Sequence, residues 1–275
     1  MSRYALNPAT PILLRPDGLV QVGWDPRRAV VVRPPSGMGA AALAQLLRRL
    51  QSGATLAEVQ CHADGVEPAG IIDLVTSLVD AGVVTRTPRR RPRAASVRIH
   101  GSGPLSDLLS GALACSGARV TRSSRSSAGA PSEPTDLVVL CDYLVADPRV
   151  VRDLHAAGVA HLPVRMRDGT GLVGPLVIPG VTSCLGCADL HRSDRDAAWP
   201  AVAAQLRDTV GTADRATVLA TAALALNQVD RVIRAVREQR STDEPLPTLD
   251  TTLEFDVNVG SVVTRRWSRH PRCQC

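Results

Sequence analysis

Four cysteines form the pattern with the clearest chemical meaning. Cys184 and Cys187 enclose a Leu-Gly pair, and Cys273 and Cys275 enclose a single Gln near the end of the sequence. A CxxC turn directs two sulfurs to one point, and a second close pair can supply the other two corners of a tetrahedron. Four thiolates suit Zn²⁺ and leave no open position for water, so the pattern predicts a structural zinc that holds the C-terminal residues.

Two other interpretations of the four cysteines stay open at this point. A CxxC that follows a strand and opens a helix is also the redox motif of thioredoxin-like proteins, and four unrelated thiols are the simplest alternative. The redox interpretation gives no role to the second pair. The remaining cysteines lie in apolar surroundings and are expected to be core thiols: Cys61, Cys115 and Cys141.

A second candidate site is the segment Gly101-Ser-Gly103-Pro-Leu-Ser106, between a predicted strand and a predicted helix. Glycines in such a turn let backbone N–H groups and the helix N-terminus approach a phosphate. Here Ser106 stands where a third glycine is expected, Pro104 removes one N–H donor, and the next strand lacks the acidic residue that holds a ribose. The segment is therefore a degenerate nucleotide site or an ordinary strand-to-helix turn.

The segment LHRSDRDAAWP follows the first cysteine pair. One interpretation is a hydrogen bond from His191 to a thiolate of the metal site. Another is a surface ion-pair network of Asp194, Arg195 and Asp196, which would contribute little to stability. His270 is not needed as a ligand, because four thiols complete the site.

The elements that must position these residues fall into two regions. Apolar runs at residues 19–22 and 29–32 flank GWDPR and predict a hairpin, and AGVVTR predicts a return strand. Apolar residues at helical spacing predict three helices, at residues 38–50, 55–60 and 67–80. Together they predict a winged-helix-like unit over residues 1–88, which binds DNA or a peptide that adds a strand to its sheet edge.

The second region begins after a predicted basic linker, residues 89–95, which is a solvated tether or a nucleic-acid contact. Alternating strands and helices over residues 96–275 predict an α/β domain with a mainly parallel sheet. Two helices are expected near its end, at residues 188–207 and 214–236. The tail TTLEFDVNVGSVVTRRW predicts an antiparallel hairpin, which the zinc would pin.

Composition narrows the classes of function. The 275 residues are 44% hydrophobic and 21% charged, which predicts one or two globular domains. All 32 basic residues are Arg, so Schiff-base catalysis and the phosphate-binding Lys of a P-loop are excluded. The net charge of +6 permits an acidic partner without requiring one. Neither a membrane span nor a signal peptide is recognisable, so a cytoplasmic protein is expected, where disulfides are rare.

Taken together, these motifs resemble a known superfamily. The order Gly101-x-Gly103, DLVVLCD ending at Asp142, GLVGPLVIPG, Cys184-x-x-Cys187 and a late cysteine pair is similar to the ubiquitin-activating-enzyme superfamily of ThiF/MoeB type. The N-terminal unit, LHRSDRDAAWP and the ending HPRCQC resemble more closely the actinobacterial ThiF-like proteins of azole-peptide (bacteriocin) biosynthesis. Those proteins are described as cyclodehydratase-domain or precursor-leader-binding proteins. The resemblance covers nearly the whole chain.

The resemblance implies roles for individual residues. The zinc ligands of the superfamily correspond to the four cysteines, and Asp142 corresponds to the acidic residue that adenylating members place after the third strand. Gly101, Gly103 and Asp142 then form the degenerate cofactor site. Adenylyl transfer needs cations on the phosphates. Because the chain has no Lys and no Asn-Leu-x-Arg-Gln segment, the resemblance implies a protein without bound ATP and without independent activity.

By the same resemblance, the expected function is that of a non-catalytic, zinc-containing adaptor. It would bind a precursor (leader) peptide beside the hairpin at residues 19–33 and present it to a separate YcaO-type cyclodehydratase, which uses ATP. A homodimer is also implied. The alternatives are an active ATP-dependent adenylyltransferase of ThiF/MoeB type and a winged-helix DNA-binding regulator. Neither a nucleic acid nor a membrane is the expected partner.

Overall fold

The computed structural model describes residues 2–63, 65–87, 93–124, 133–238 and 246–275. The chain divides into two compact units, Met1–Arg91 and Pro92–Cys275. Most of the predicted linker, residues 89–95, lies outside the described residues. Its role as a domain boundary therefore stays a prediction. Within the described ranges, no helix has the length and apolar character needed to cross a membrane.

The first unit combines two small antiparallel sheets with three helices among its described residues. Its strands are β1 (Arg3–Leu6), β2 (Ile12–Leu14), β3 (Val20–Val22), β4 (Val30–Val32), β5 (Ala54–Thr55) and β6 (Val84–Thr87). Its helices are α1 (Ala40–Gln51), α2 (Leu56–Gln60) and α3 (Pro68–Asp80). The sheet orders are β5-β1-β6 and β2-β3-β4. The predicted hairpin is β3-β4, whereas the return strand β6 pairs with β1, a short N-terminal strand that periodicity did not reveal.

The core of the first unit lies where helical spacing predicted it. Four leucines of α1 are buried against apolar residues of α3 and of the strands: Leu43, Leu46, Leu47 and Leu50. Helix α2 begins with a capping box, in which Thr55 and Glu58 each bind the other's backbone N–H with a side-chain oxygen. The hairpin, the three helices and the return strand are thus present as expected, strands β1, β2 and β5 are additional, and the winged-helix topology stays a prediction.

The second unit is a mixed α/β domain built on a seven-stranded sheet of described residues. Its strands are β7 (Ser96–His100), β8 (Arg119–Ser123), β9 (Leu137–Cys141), β10 (His161–Arg167), β11 (Thr170–Val173), β12 (Thr251–Asp256) and β13 (Ser261–Arg266). The strand order is β13-β12-β11-β10-β9-β7-β8. Pairing is parallel from β8 through β7 and β9 to β10. It is antiparallel from β10 to β13, so parallel pairing is confined to one half of the sheet.

Helices cover both faces of this sheet. They are α4 (Pro104–Leu113), α5 (Pro148–Ala156), α6 (Leu185–Arg195), α7 (Trp199–Leu206) and α8 (Arg215–Glu238). Apolar side chains of α4 and α8 pack on one face against β7, β9 and β10. Helix α5 packs Val150 and Leu154 against the other face. Each face of the central strands is therefore buried, as expected for parallel strands.

Two sequence-based expectations, one about this unit and one about cysteines in both units, were wrong. The single helix expected at residues 188–207 is divided into α6 and α7, because Asp196 is extended and Pro200, which lacks an N–H, cannot continue a preceding helix. Cys61 and Cys115 are exposed rather than core thiols, because they follow the ends of α2 and α4. Cys141, at the end of β9, is buried as expected.

Candidate functional site

The four predicted metal ligands lie together in the second unit. The Sγ atom of Cys184 lies 3.8 Å from that of Cys187 and 3.5 Å from that of Cys273. The Cys187 and Cys275 sulfurs are 3.4 Å apart, and all four sulfurs lie within 4.8 Å of one another. Zn–S bonds of about 2.3 Å in a tetrahedron place sulfurs about 3.8 Å apart, whereas a disulfide requires about 2.0 Å. The cluster has the geometry of a four-thiolate metal site.

Local structure explains how the first cysteine pair is presented. Cys184 precedes α6 and Cys187 lies in the first turn of that helix. Burial raises the pKa of Cys184. Burial also opposes ionisation of Cys187, but backbone hydrogen bonds at His270 and Cys184 outweigh it and lower its pKa to about 7. Because metals bind the thiolate, this lowered pKa favours metal binding by Cys187.

Asp194 on α6 holds the segment that carries the second cysteine pair. Its Oδ2 accepts a hydrogen bond of 2.8 Å from Nε2 of His270, which is buried, and its Oδ1 pairs with Arg272. Nδ1 of His270 accepts the backbone N–H of Arg272 at 3.1 Å. The carboxylate that one interpretation of the sequence placed in a surface network thus anchors the tail beside the cysteine cluster.

His191 also contacts this tail, rather than a cysteine sulfur. Its Nε2 donates to the Ser268 carbonyl oxygen at 3.1 Å, and its ring meets that of His270 edge-on, with the ring centroids 4.7 Å apart. The sequence singled out both segments, but their contacts join residues more than 70 positions apart. Spacing along the chain carries no signal for such pairs.

The structure brings the glycine turn together with Asp142. The carboxylate accepts the backbone N–H of Leu105 at 2.9 Å and that of Ser106 at 3.3 Å. These groups belong to the first turn of α4, which in a nucleotide site would face a phosphate. Asp142 has no exposed surface, and its φ of 72° lies in the left-handed region that Asp tolerates. A buried side chain of the protein itself thus occupies the anion position of the turn.

The two glycines are required by this close approach. A Cβ atom on Gly101 would lie 2.7 Å from the carbonyl oxygen of Cys141, and one on Gly103 would lie 2.8 Å from Cγ of Asp142. Burial raises the pKa of Asp142, and hydrogen bonds from Ser106 and Leu105 oppose that rise. Packing against the end of β9 therefore explains the Gly-x-Gly pattern without a nucleotide.

The first unit carries a groove beside an edge strand, which we call the β4 groove. It has a volume of about 370 Å³ and lies between β4 and α3. Strand β4 ends its sheet, and the side chain of Val31 is 47% exposed. Arg33 and Asp73 add one charge of each sign to a mainly apolar lining that includes Leu74 and Ser77. An edge strand beside an apolar groove can accept an extended peptide as a further strand.

No protein-family model matches this chain, and no curated protein sequence does. Solved structures do share its fold. A heterocyclase in complex with substrate and cofactor matches all of the chain with a TM-score of 0.67 and 15% identity, and the heterocyclase TruD does so with 0.65 and 17%. The chain spans only 39% and 42% of the length of these two proteins.

A second kind of neighbour matches this chain end to end. Escherichia coli MccB with ATP has a TM-score of 0.58 at 12% identity, with 99% of each chain covered. MccB, a microcin C7 biosynthetic enzyme, also matches in its complex with N-formylated MccA, with 0.57 and 13%. At these identities the similarity establishes the fold alone, which this chain shares with two heterocyclases and with a microcin C7 biosynthetic enzyme.

Proposed function

We propose that this chain is a non-catalytic, zinc-containing, ThiF-like adaptor. It binds the leader segment of a precursor peptide and presents that peptide to a partner cyclodehydratase. The observation that carries the proposal is the β4 groove, where an edge strand and a helix frame a mainly apolar channel. Main-chain hydrogen bonds to β4 would give affinity, and the pockets along α3 would select side chains.

Zinc is the metal that suits the cysteine cluster best. Four thiolates at these separations favour a soft, tetrahedral ion, and a complete coordination sphere leaves no position for substrate. The ion would fix the tail to α6 and supply structure rather than catalysis. Asp194 and His270 support the same contact from the protein side.

The glycine turn supports a non-catalytic role. Gly101 and Gly103 would belong to a degenerate nucleotide site, since the N–H groups of α4 already bind Asp142. A phosphate at this position would have to displace a buried carboxylate and would meet its negative charge. We assign the ATP-dependent step to a separate YcaO-type partner; the two heterocyclases are longer than this chain, which spans 39% and 42% of their length.

A library of displayed linear peptides tests the groove. We expect peptides selected on the full chain to protect the β4 amides from hydrogen exchange, because strand addition pairs that edge. Ser77→Trp should weaken the binding of these peptides at least about tenfold, because the indole fills the groove. Thr76→Trp is the matched control, since Thr76 is the exposed residue directly before Ser77 on α3 and does not line the groove. Failure to enrich any peptide, or equal affinity for Ser77→Trp, would contradict the proposal.

The competing function is an active adenylyltransferase, which the match to MccB with ATP favours. Calorimetric titration of the protein with ATP in the presence of Mg²⁺ distinguishes the adaptor from the adenylyltransferase. We expect no saturable heat up to about 1 mM nucleotide, because Asp142 already binds the N–H groups that would face a phosphate. A Kd of about 1 mM corresponds to a binding free energy of only about 4 kcal/mol. MccB is the positive control. Micromolar binding, or ATP–pyrophosphate exchange, would instead support adenylyl transfer.

A further inference from the structure

A cavity of about 410 Å³ lies in the second unit, where it adjoins the turn between Cys184 and Cys187 but is lined by none of the four clustered cysteines and by no residue of the glycine turn. Alternation along β10 places Leu162, Val164 and Met166 in the core beneath α8. Arg165 therefore points to the opposite face, where it lines the cavity. The loop after β9 and helices α5, α6 and α7 form the other walls.

The cavity combines apolar walls with an excess of positive charge. Val151 of α5, Leu185 of α6 and Trp199 of α7 contribute to the apolar lining. Four arginines and two aspartates contribute the charges: Arg152, Arg165, Arg167, Arg192, Asp168 and Asp189. An apolar cavity of about 300–1,000 Å³ with a few converging polar groups is typical of a small-molecule site.

Among the arginines of this lining, Arg152 and Arg165 have no partner among the described residues, and Arg152 is exposed whereas Arg165 is not. Arg192 donates to Asp189 at 2.8 Å. Arg167 pairs with Glu254 at 3.4 Å. Arg165 is half-buried and forms no hydrogen bond or ion pair with any residue that the structure describes. Burial and the charge of Arg192 lower the pKa of Arg165 to about 10, so the guanidinium stays charged at neutral pH. Such a group lowers stability unless an anion pairs with it.

We propose that this cavity binds a carboxylate attached to an apolar body, with Arg165 pairing with the carboxylate and the apolar walls covering the body. A guanidinium fork matches the two oxygens of a carboxylate. Asp189 forms no hydrogen bond with Arg165: its Oδ1 accepts from both Arg192 and Trp199 Nε1, the latter at 3.2 Å, and its charge acts on Arg165 only at longer range. The carboxylate belongs either to a small organic acid or to a peptide C-terminus. The proposal does not rest on the β4 groove.

Four probes test the chemistry on the full chain by calorimetry. They are 4-phenylbutyrate, 4-phenylbutanol, N-acetyl-leucyl-phenylalanine and the C-terminal amide of that dipeptide. We expect at least one acid to bind about tenfold or more tighter than its neutral counterpart, because only the acid pairs with Arg165. The acid that binds more tightly identifies the source, a small acid or a peptide end. Equal affinity within both pairs, or no binding of either acid, would overturn the proposal.

Substitutions assign the effect to Arg165. Arg165→Met should weaken the binding of the acids about tenfold or more. Because it removes an unpaired charge, it should leave the Tm unchanged or raise it. Arg119→Met is the control, because this exposed arginine of β8 pairs with Glu133 and does not line the cavity. Val151→Phe retains Arg165 but reduces the cavity and should also weaken the acids. If Arg165→Met binds the acids with wild-type affinity, the cavity is not the site. If Arg165→Met does not fold, the same result in Val151→Phe leads to the same conclusion.

Discussion

Replacing Cys275 with Ser is expected to lower the zinc affinity of the chain about 100-fold. Zinc binding at a structural site contributes a free energy of about 10–16 kcal/mol. One of four ligands accounts for about a quarter of that free energy, or about 3 kcal/mol, which corresponds to about 100-fold in affinity. The sulfur of Cys275 lies 3.4 Å from that of Cys187, so its loss opens one corner of the tetrahedron. Zinc release to a competing chromogenic chelator measures the change, and the Tm of the zinc-loaded protein should fall with it.

Cys61→Ser and Cys115→Ser are matched controls for this experiment. Both thiols are exposed and lie outside the cluster, so zinc content and Tm should stay at the wild-type value. Unchanged zinc affinity in Cys275→Ser would refute the ligand assignment. A wild-type protein that holds no zinc but forms a reversible disulfide between Cys184 and Cys187 would favour the redox interpretation instead.

Replacing Asp142 with Ala is expected to lower the free energy of unfolding by about 3 kcal/mol. The change leaves the N–H groups of Leu105 and Ser106 without an acceptor at a position that water does not reach, and each unsatisfied group costs about 1–3 kcal/mol. The Tm should fall by about 6–12 °C, as measured by calorimetry or circular dichroism. Asp107→Ala is the control, because Asp107 lies in the same turn of α4 with its side chain 67% exposed. It should cost less than about 1 kcal/mol.

Asp142→Asn distinguishes hydrogen bonding from charge. Asn retains an acceptor and tolerates a φ of 72°, and it removes the burial cost that raises the pKa of Asp142. It should therefore cost less than Ala. A raised native pKa means that the folded protein binds the proton more tightly than the unfolded chain, so this group lowers stability as pH rises above 3.8. Asn should remove that dependence, and an identical pH profile in both proteins would contradict the explanation.

Local patterns were sufficient to predict most helices and to single out the four cysteines that the fold brings together. The leucines of α1 and the apolar face of α3 recur at helical spacing, and their burial followed from that periodicity. The cysteine pairs were recognisable because each pair is local, and only the meeting of the pairs required the fold. Strand β1 and the division between α6 and α7 were missed, because a four-residue strand and a short break carry weak periodic signals.

The sequence by itself determined which chemistry is available: four thiols in two close pairs, arginine as the only strongly basic side chain, and a glycine turn lacking its usual third glycine. The tertiary structure decided how those groups are used. It placed Asp142 on the N-terminus of α4, joined Asp194 to His270, and left Arg165 unpaired in a cavity. These outcomes depend on contacts between distant segments and on the exclusion of water. Neither is encoded in the spacing of residues along the chain.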